Sequence, residues 1–128
     1  MKKAFVFILS GVLMGSCIPD NVKEKLNDGL MVGHRMLADQ EFKRAIANIE
    51  LHRLRTGAYP ATLHELKFLS AMDSTMFSYV EYSRLDSGYA LNLKMEVPSL
   101  SGDAPQKVDL TYPAEFWAGL GCRRSNLK

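Results

Sequence analysis

An α+β domain is predicted, with one long N-terminal helix packed on a small antiparallel β-sheet after a cleaved export segment. Three observations predict it. Apolar residues recur at helical spacing from about Asn21 to Arg55, with no proline in that stretch. Tyr89, Leu91, Leu93, Met95 and Val97 alternate with polar or small residues, which is the period of a half-buried strand. An apolar run from Ala4 to Met14 lies between Lys2-Lys3 and Gly15-Ser16-Cys17, the layout of a secretory signal.

The helix is delimited by its ends. Asp20, after Pro19, is placed to serve as N-cap. Gly57 is a natural left-handed C-cap, and Pro60 forbids continuation. At 100° per residue, Met31, Ala38, Phe42, Ala45, Ile46 and Ile49 form one stripe, the predicted core face. A second apolar group, Leu26, Leu30, Met36, Leu37, Leu51 and Leu54, lies on another side. Gly29 and Gly33 weaken the first half by roughly 1 kcal/mol each relative to alanine. Thirty-five helical residues would span about 52 Å. A 100-residue globule is only about 26 Å across. The first half is therefore expected to project as a stalk or to bend at the glycines.

Beyond the helix, Thr62-Leu63-His64-Glu65 reads as a capping box opening a short helix. Phe77–Leu85 is rich in Phe, Tyr and Val and suits a strand, and Asp86-Ser87-Gly88 is a turn. With the alternating run that follows, these make a β-hairpin. The stretch 98–106 reads as loop, and 107–112 as a third strand ended by Pro113. The expected organisation is a signal peptide over 1–16, an anchored stalk over 17–37, an α+β domain over 38–122 and a frayed basic tail over 123–128.

The export segment carries the sharpest expectation. Eleven apolar residues reach about 16 Å in a helix, roughly half of a hydrocarbon core, so a cleaved signal explains them better than a membrane span. Leu13-Met14-Gly15-Ser16-Cys17 resembles the lipobox of bacterial lipoproteins, with Met14 departing from the usual Leu. The resemblance implies acylation of Cys17 and attachment to a bacterial membrane facing the periplasm. At roughly 0.8 kcal/mol per buried methylene, several acyl chains make attachment effectively permanent. The resemblance also implies the outer membrane, because Ile18 rather than Asp follows the cysteine. The other reading is ordinary cleavage that leaves Cys17 a plain thiol. Cys122 would then be available for a bridge to it. With Cys17 acylated, Cys122 is free, buried or paired between chains.

The segment Ala45–Leu66 contains Thr56-Gly57-Ala58-Tyr59-Pro60, and the hairpin contains Asp86-Ser87-Gly88-Tyr89-Ala90-Leu91. In that order they resemble the type II secretion pseudopilins and type IV pilin-like proteins over roughly residues 40–97. The resemblance implies a pilin-like fold and a place in a secretion or pilus-like assembly. Two features depart from the family. The apolar segment is half the family's length and lacks its glutamate, and no acidic calcium-binding loop is recognisable. Together with the lipobox, this implies a pilin-like domain whose membrane helix is replaced by a lipid anchor.

Composition and motifs narrow the function classes. The chain has 128 residues, 47% hydrophobic and 23% charged, as in an ordinary globular domain. Removing Lys2 and Lys3 from 16 basic residues leaves 14 against 14 acidic ones. A neutral domain lacks the broad positive field that nucleic acid requires. No catalytic residue, cofactor-binding motif, metal site or small-molecule substrate is assigned. His64-Glu65 lacks the second histidine of a zinc-protease helix, Phe68 standing there. His34 and His52 lie about 27 Å apart along the helix, too far to share a metal. Asp39, Glu41 and Glu50 alternate with Lys43, Arg44 and Arg53, which reads as a salt-bridged exposed face.

The expected role is a non-enzymatic, lipid-anchored adaptor or structural component of an envelope assembly, with protein partners. Leu30, Leu37, Leu51, Leu54, Tyr79 and Tyr82 are the candidate partner surface. The alternatives are a minor pseudopilin with a degenerate leader and a small envelope enzyme or ligand-binding protein.

Overall fold

The computed structural model describes residues 19–67, 71–100 and 102–128. The signal segment and Cys17 lie outside them. The architecture is α+β: one long helix and a small mixed sheet.

Helix α1 runs without interruption from Asp20 to Thr56. Its start differs from expectation. Asp20 is the first helical residue, Pro19 takes the N-cap position, and no side chain caps the end. Asp20 instead sits in the first turn, where its carboxylate favours the helix dipole. The other end is as read. Gly57 adopts φ 84° and its N–H donates to Arg53 O at 2.7 Å. A side chain there would strain the left-handed backbone.

The predicted stripe is the core face. Ala38, Phe42, Ala45 and Ile49 are fully buried, Ile46 is nearly so, and Met31 packs at the edge. The stalk is shorter than expected, because the body reaches far down the helix. Asn27 Oδ1 accepts from Leu100 N–H at 3.2 Å, and Arg35 Nε donates to Asp109 O at 2.8 Å. Leu30 packs against the core as well.

Strand β1 (Val80–Leu85) and strand β2 (Gly88–Leu93) form the antiparallel hairpin, with Leu85 opposite Gly88 across Asp86-Ser87. Tyr89, Leu91, Leu93, Met95 and Val97 are all buried, so the period-two reading holds along the whole series. The strand expected from Phe77 starts only at Val80. Residues Ala71–Ser78 form a 3₁₀ helix, and Tyr79 N–H closes it onto Met76 O at 3.0 Å. The expected capping box does not form. Thr62 makes no cap bond, and Glu65 Oε2 reaches one residue past it to accept from Ala61 N–H at 2.9 Å, beside a single 3₁₀ turn, Leu63–Glu65.

The third strand is corrected too. Only β4 (Gln106–Lys107) pairs, with β3 (Glu96–Val97), as a separate two-stranded ladder. The chain after it docks on α1 through side chains. Val108 is buried, and Tyr112 stacks on Phe42 at 5.8 Å and donates to Asp39 Oδ1 at 2.8 Å.

A short helix α2 (Ala114–Trp117) precedes strand β5 (Cys122–Arg124), which lies parallel to β2. The sheet order is β1-β2-β5. The expected all-antiparallel sheet is therefore mixed. The chain leaves β2, crosses through residues 94–121 and re-enters in the same direction, as parallel pairing requires of a long connection.

The basic tail does not fray. Asn126 clamps β2 like a further strand residue, accepting from Leu93 N–H at 2.9 Å and donating to Leu93 O at 2.8 Å. Leu127 is buried, and Lys128 Nζ donates to Cys122 O at 3.1 Å.

Candidate functional site

The C-terminal end of α1, the hairpin turn and the start of β5 converge on one polar node. At its centre is Glu50, which the salt-bridged-face reading had placed toward solvent. Glu50 accepts instead from Tyr89 Oη at 3.0 Å, Tyr59 Oη at 3.2 Å and Gly121 N–H at 2.8 Å. Tyr89 is fully buried, and its hydroxyl needs such an acceptor. The Tyr59 ring meets Tyr89 edge-on at 5.0 Å, and Arg53 lies over the other side of Tyr59 at 5.0 Å. Glu41 also turns inward. It is 3% exposed, paired with Arg44 at 2.8 Å and bonded by the Thr75 hydroxyl at 3.2 Å. Of the three carboxylates, Asp39 pairs with Lys43 at 3.0 Å as expected.

Glycines make the node possible. A Cβ on Gly121 would fall 1.8 Å from Tyr59 Oη. A Cβ on Gly88, whose φ is +142°, would fall 2.2 Å from Gly121 O. Tyr89 N–H donates to that same carbonyl at 3.0 Å. The turn, β2 and the strand entry thus pack backbone against backbone.

Above the node lies an open groove of about 800 Å³ between α1's end, the hairpin turn and the 119–121 loop. Arg53, Arg84 and Arg123 line it, with Asp86 as the one carboxylate. Sequence reasoning missed this site. The three arginines are scattered along the chain, and only the hairpin and the late β5 pairing bring them together.

The tyrosines bear on pH dependence. Burial holds Tyr59, Tyr89 and Tyr112 protonated above the usual phenol range, with Glu50 and Asp39 adding to it. Burial pushes Tyr82 up to about 12. Burial also raises the Cys122 thiol. Each group favours its neutral form when folded, so its contribution is complete below its unfolded value and is lost as pH rises toward the folded one. The urea midpoint is expected to stay level up to about pH 8 and to fall steadily above about pH 10. Urea titrations followed by tyrosinate absorbance check this. A midpoint unchanged through pH 12 would contradict it.

The predicted partner residues divide into two sets. Leu54 is 83% exposed and Leu37 38%. Leu30 and Leu51 are half-buried. Tyr79 packs on the core, and the Tyr82 hydroxyl donates to Pro60 O, so both are engaged in the fold. Val22, Val32 and Met36, absent from the predicted set, are exposed with Leu26.

Cys122 is 2% exposed and unpaired among the described residues, a small buried hydrophobe. Cys17 lies outside those residues. Among them no group of three or more His, Cys, Asp or Glu side chains is placed to hold a metal, and no helix is long and apolar enough to cross a membrane. No protein-family model, curated protein or solved structure matches the chain.

Proposed function

We propose that the protein is a non-enzymatic envelope lipoprotein, held to a bacterial membrane through acylated Cys17 and serving as an adaptor or structural part of an envelope assembly. The observation that carries the adaptor role is the outer face of α1. At 100° per residue, Val22, Leu26, Met36, Leu37 and Leu54 fall on the side opposite Phe42 and Ile49. Met36 is 69% exposed and Leu54 83%. A helix buried along one stripe and carrying exposed apolar residues on the opposite side, in a group over 22–37 and again at Leu54 beyond Gln40 and Arg44, has surfaces that a partner can cover. The Lys2-Lys3 start, the Ala4–Met14 run and Gly15-Ser16-Cys17 support the anchor, and Ile18 supports the outer membrane.

The experiment is crosslinked co-purification from membranes with the full chain and its Met36→Glu/Leu54→Glu variant. A discrete protein partner, lost in the variant while its thermal unfolding is unchanged, is the expected outcome. Equal recovery with both forms would contradict the helix-face reading.

One observation favours a second reading, a minor pseudopilin. The helix runs unbroken and ends in the Gly57-Ala58-Tyr59-Pro60 turn, with Tyr59 folded back to Glu50. That reading needs Ala4–Met14 retained in the mature chain.

A further inference from the structure

We propose that the groove above the Glu50 node is a docking site for an acidic polypeptide segment of the partner. This inference rests on the adaptor reading and assigns the partner's chemistry. Three guanidiniums line the groove against Asp86 on its rim and Glu50 beneath it, the latter already bonded by Tyr59, Tyr89 and Gly121 N–H, in a chain whose charge balances once Lys2 and Lys3 are removed. The positive charge is therefore local. Two of the guanidiniums are held in place. Arg53 lies over Tyr59 and donates to its hydroxyl at 3.3 Å, and Arg123 Nε donates to Ser87 O at 2.9 Å. The Arg84 side chain makes no hydrogen bond or ion pair among the described residues, and its five donors are open to a ligand. A guanidinium pairs with a carboxylate through two parallel bonds.

The negative end of α1 at Gly57 and the Asp86 carboxylate oppose any anion, and they oppose a compact dianion more than a singly charged carboxylate because the repulsion grows with the charge placed beside them. Asp86 can in turn accept backbone N–H groups from a peptide whose carboxylates reach the arginines. The volume of about 800 Å³ suits an extended segment better than a single ion. The walls are tied together, since Tyr89 N–H donates to Gly121 O at 3.0 Å and Arg123 Nε to Ser87 O at 2.9 Å.

The test titrates full-length protein in neutral detergent with hexaglutamate peptide and, separately, with inorganic pyrophosphate, followed by amide shifts of Gly57, Gly88 and Gly121. Hexaglutamate is expected to shift these amides saturably, and less so as salt rises. Arg84→Glu should weaken binding at least tenfold, while Lys67→Glu, outside the groove, leaves it unchanged. Thermal unfolding of Arg84→Glu should stay close to the parent, since the Arg84 side chain is exposed and makes no hydrogen bond or ion pair among the described residues. No saturable shift, equal weakening by both variants, or tighter binding of pyrophosphate than of hexaglutamate would each overturn the proposal. Binding of hexaglutamate with no loss of the membrane partner in Arg84→Glu would overturn the assignment to that partner and leave the adaptor reading standing.

Discussion

Gly121→Ala is expected to destabilise the fold by about 3 kcal/mol, the upper part of the range for overpacking a filled site. The added methyl would lie 1.8 Å from Tyr59 Oη and 2.2 Å from its Cζ. Tyr59 cannot swing clear without losing its bonds to Glu50, its contact with Tyr89 and its place under Arg53. If the 119–121 loop moves instead, Gly121 N–H leaves Glu50 and Tyr89 N–H loses Gly121 O. In the second case the buried Tyr89 loses a backbone partner, which adds about 1–3 kcal/mol. A domain of this size should melt more than about 10 °C lower. The same substitution at Gly29 provides the contrast. Its Cβ would meet nothing within 4 Å inside a helix, so Gly29→Ala should stabilise by about 1 kcal/mol. Thermal unfolding of both variants checks the pair, and an unchanged melting point for Gly121→Ala would contradict the packing described.

Cys17→Ala is expected to move the protein from the membrane fraction to the soluble fraction. At roughly 0.8 kcal/mol per buried methylene, acyl chains supply far more attachment than α1 can. No helix among the described residues is long and apolar enough to cross a membrane. The α1 face with Val22, Leu26 and Met36 is apolar but interrupted by Gly29 and Gly33. Retention of the variant on membranes at the parent level would contradict a lipid anchor at Cys17.

Local signals made most of the fold legible. The α1 stripe at Phe42, Ala45 and Ile49 and the alternation through Tyr89, Leu91 and Leu93 both record which face is buried. Gly57 and Pro60 mark the end of α1 through backbone geometry that no neighbour alters. The misread elements depend on distant partners. Arg123-Arg124 looks like the start of a basic tail until β2 is there to pair with it and Asn126 finds Leu93. Residues 107–112 alternate like a strand but meet a helix, so Tyr112 packs on Phe42 instead of extending a ladder. Glu50 has Arg53 at helical spacing as a ready ion-pair partner in sequence, and only the approach of Tyr89 and Gly121 draws it inward. The arginine groove was illegible for the same reason, since Arg53, Arg84 and Arg123 meet only across three elements. Leu37 and Leu54 were legible as an exposed apolar face, whereas Tyr79 and Tyr82 belong to the packing.

The central claim is a lipid-anchored mature chain beginning at Cys17. Intact-mass spectrometry of the membrane-extracted protein tests it most directly. The account predicts a chain starting at residue 17 whose mass exceeds the polypeptide by several acyl groups, an excess absent from Cys17→Ala. A mature chain that retained Ala4–Met14, or one that began near residue 17 with no added mass, would contradict it.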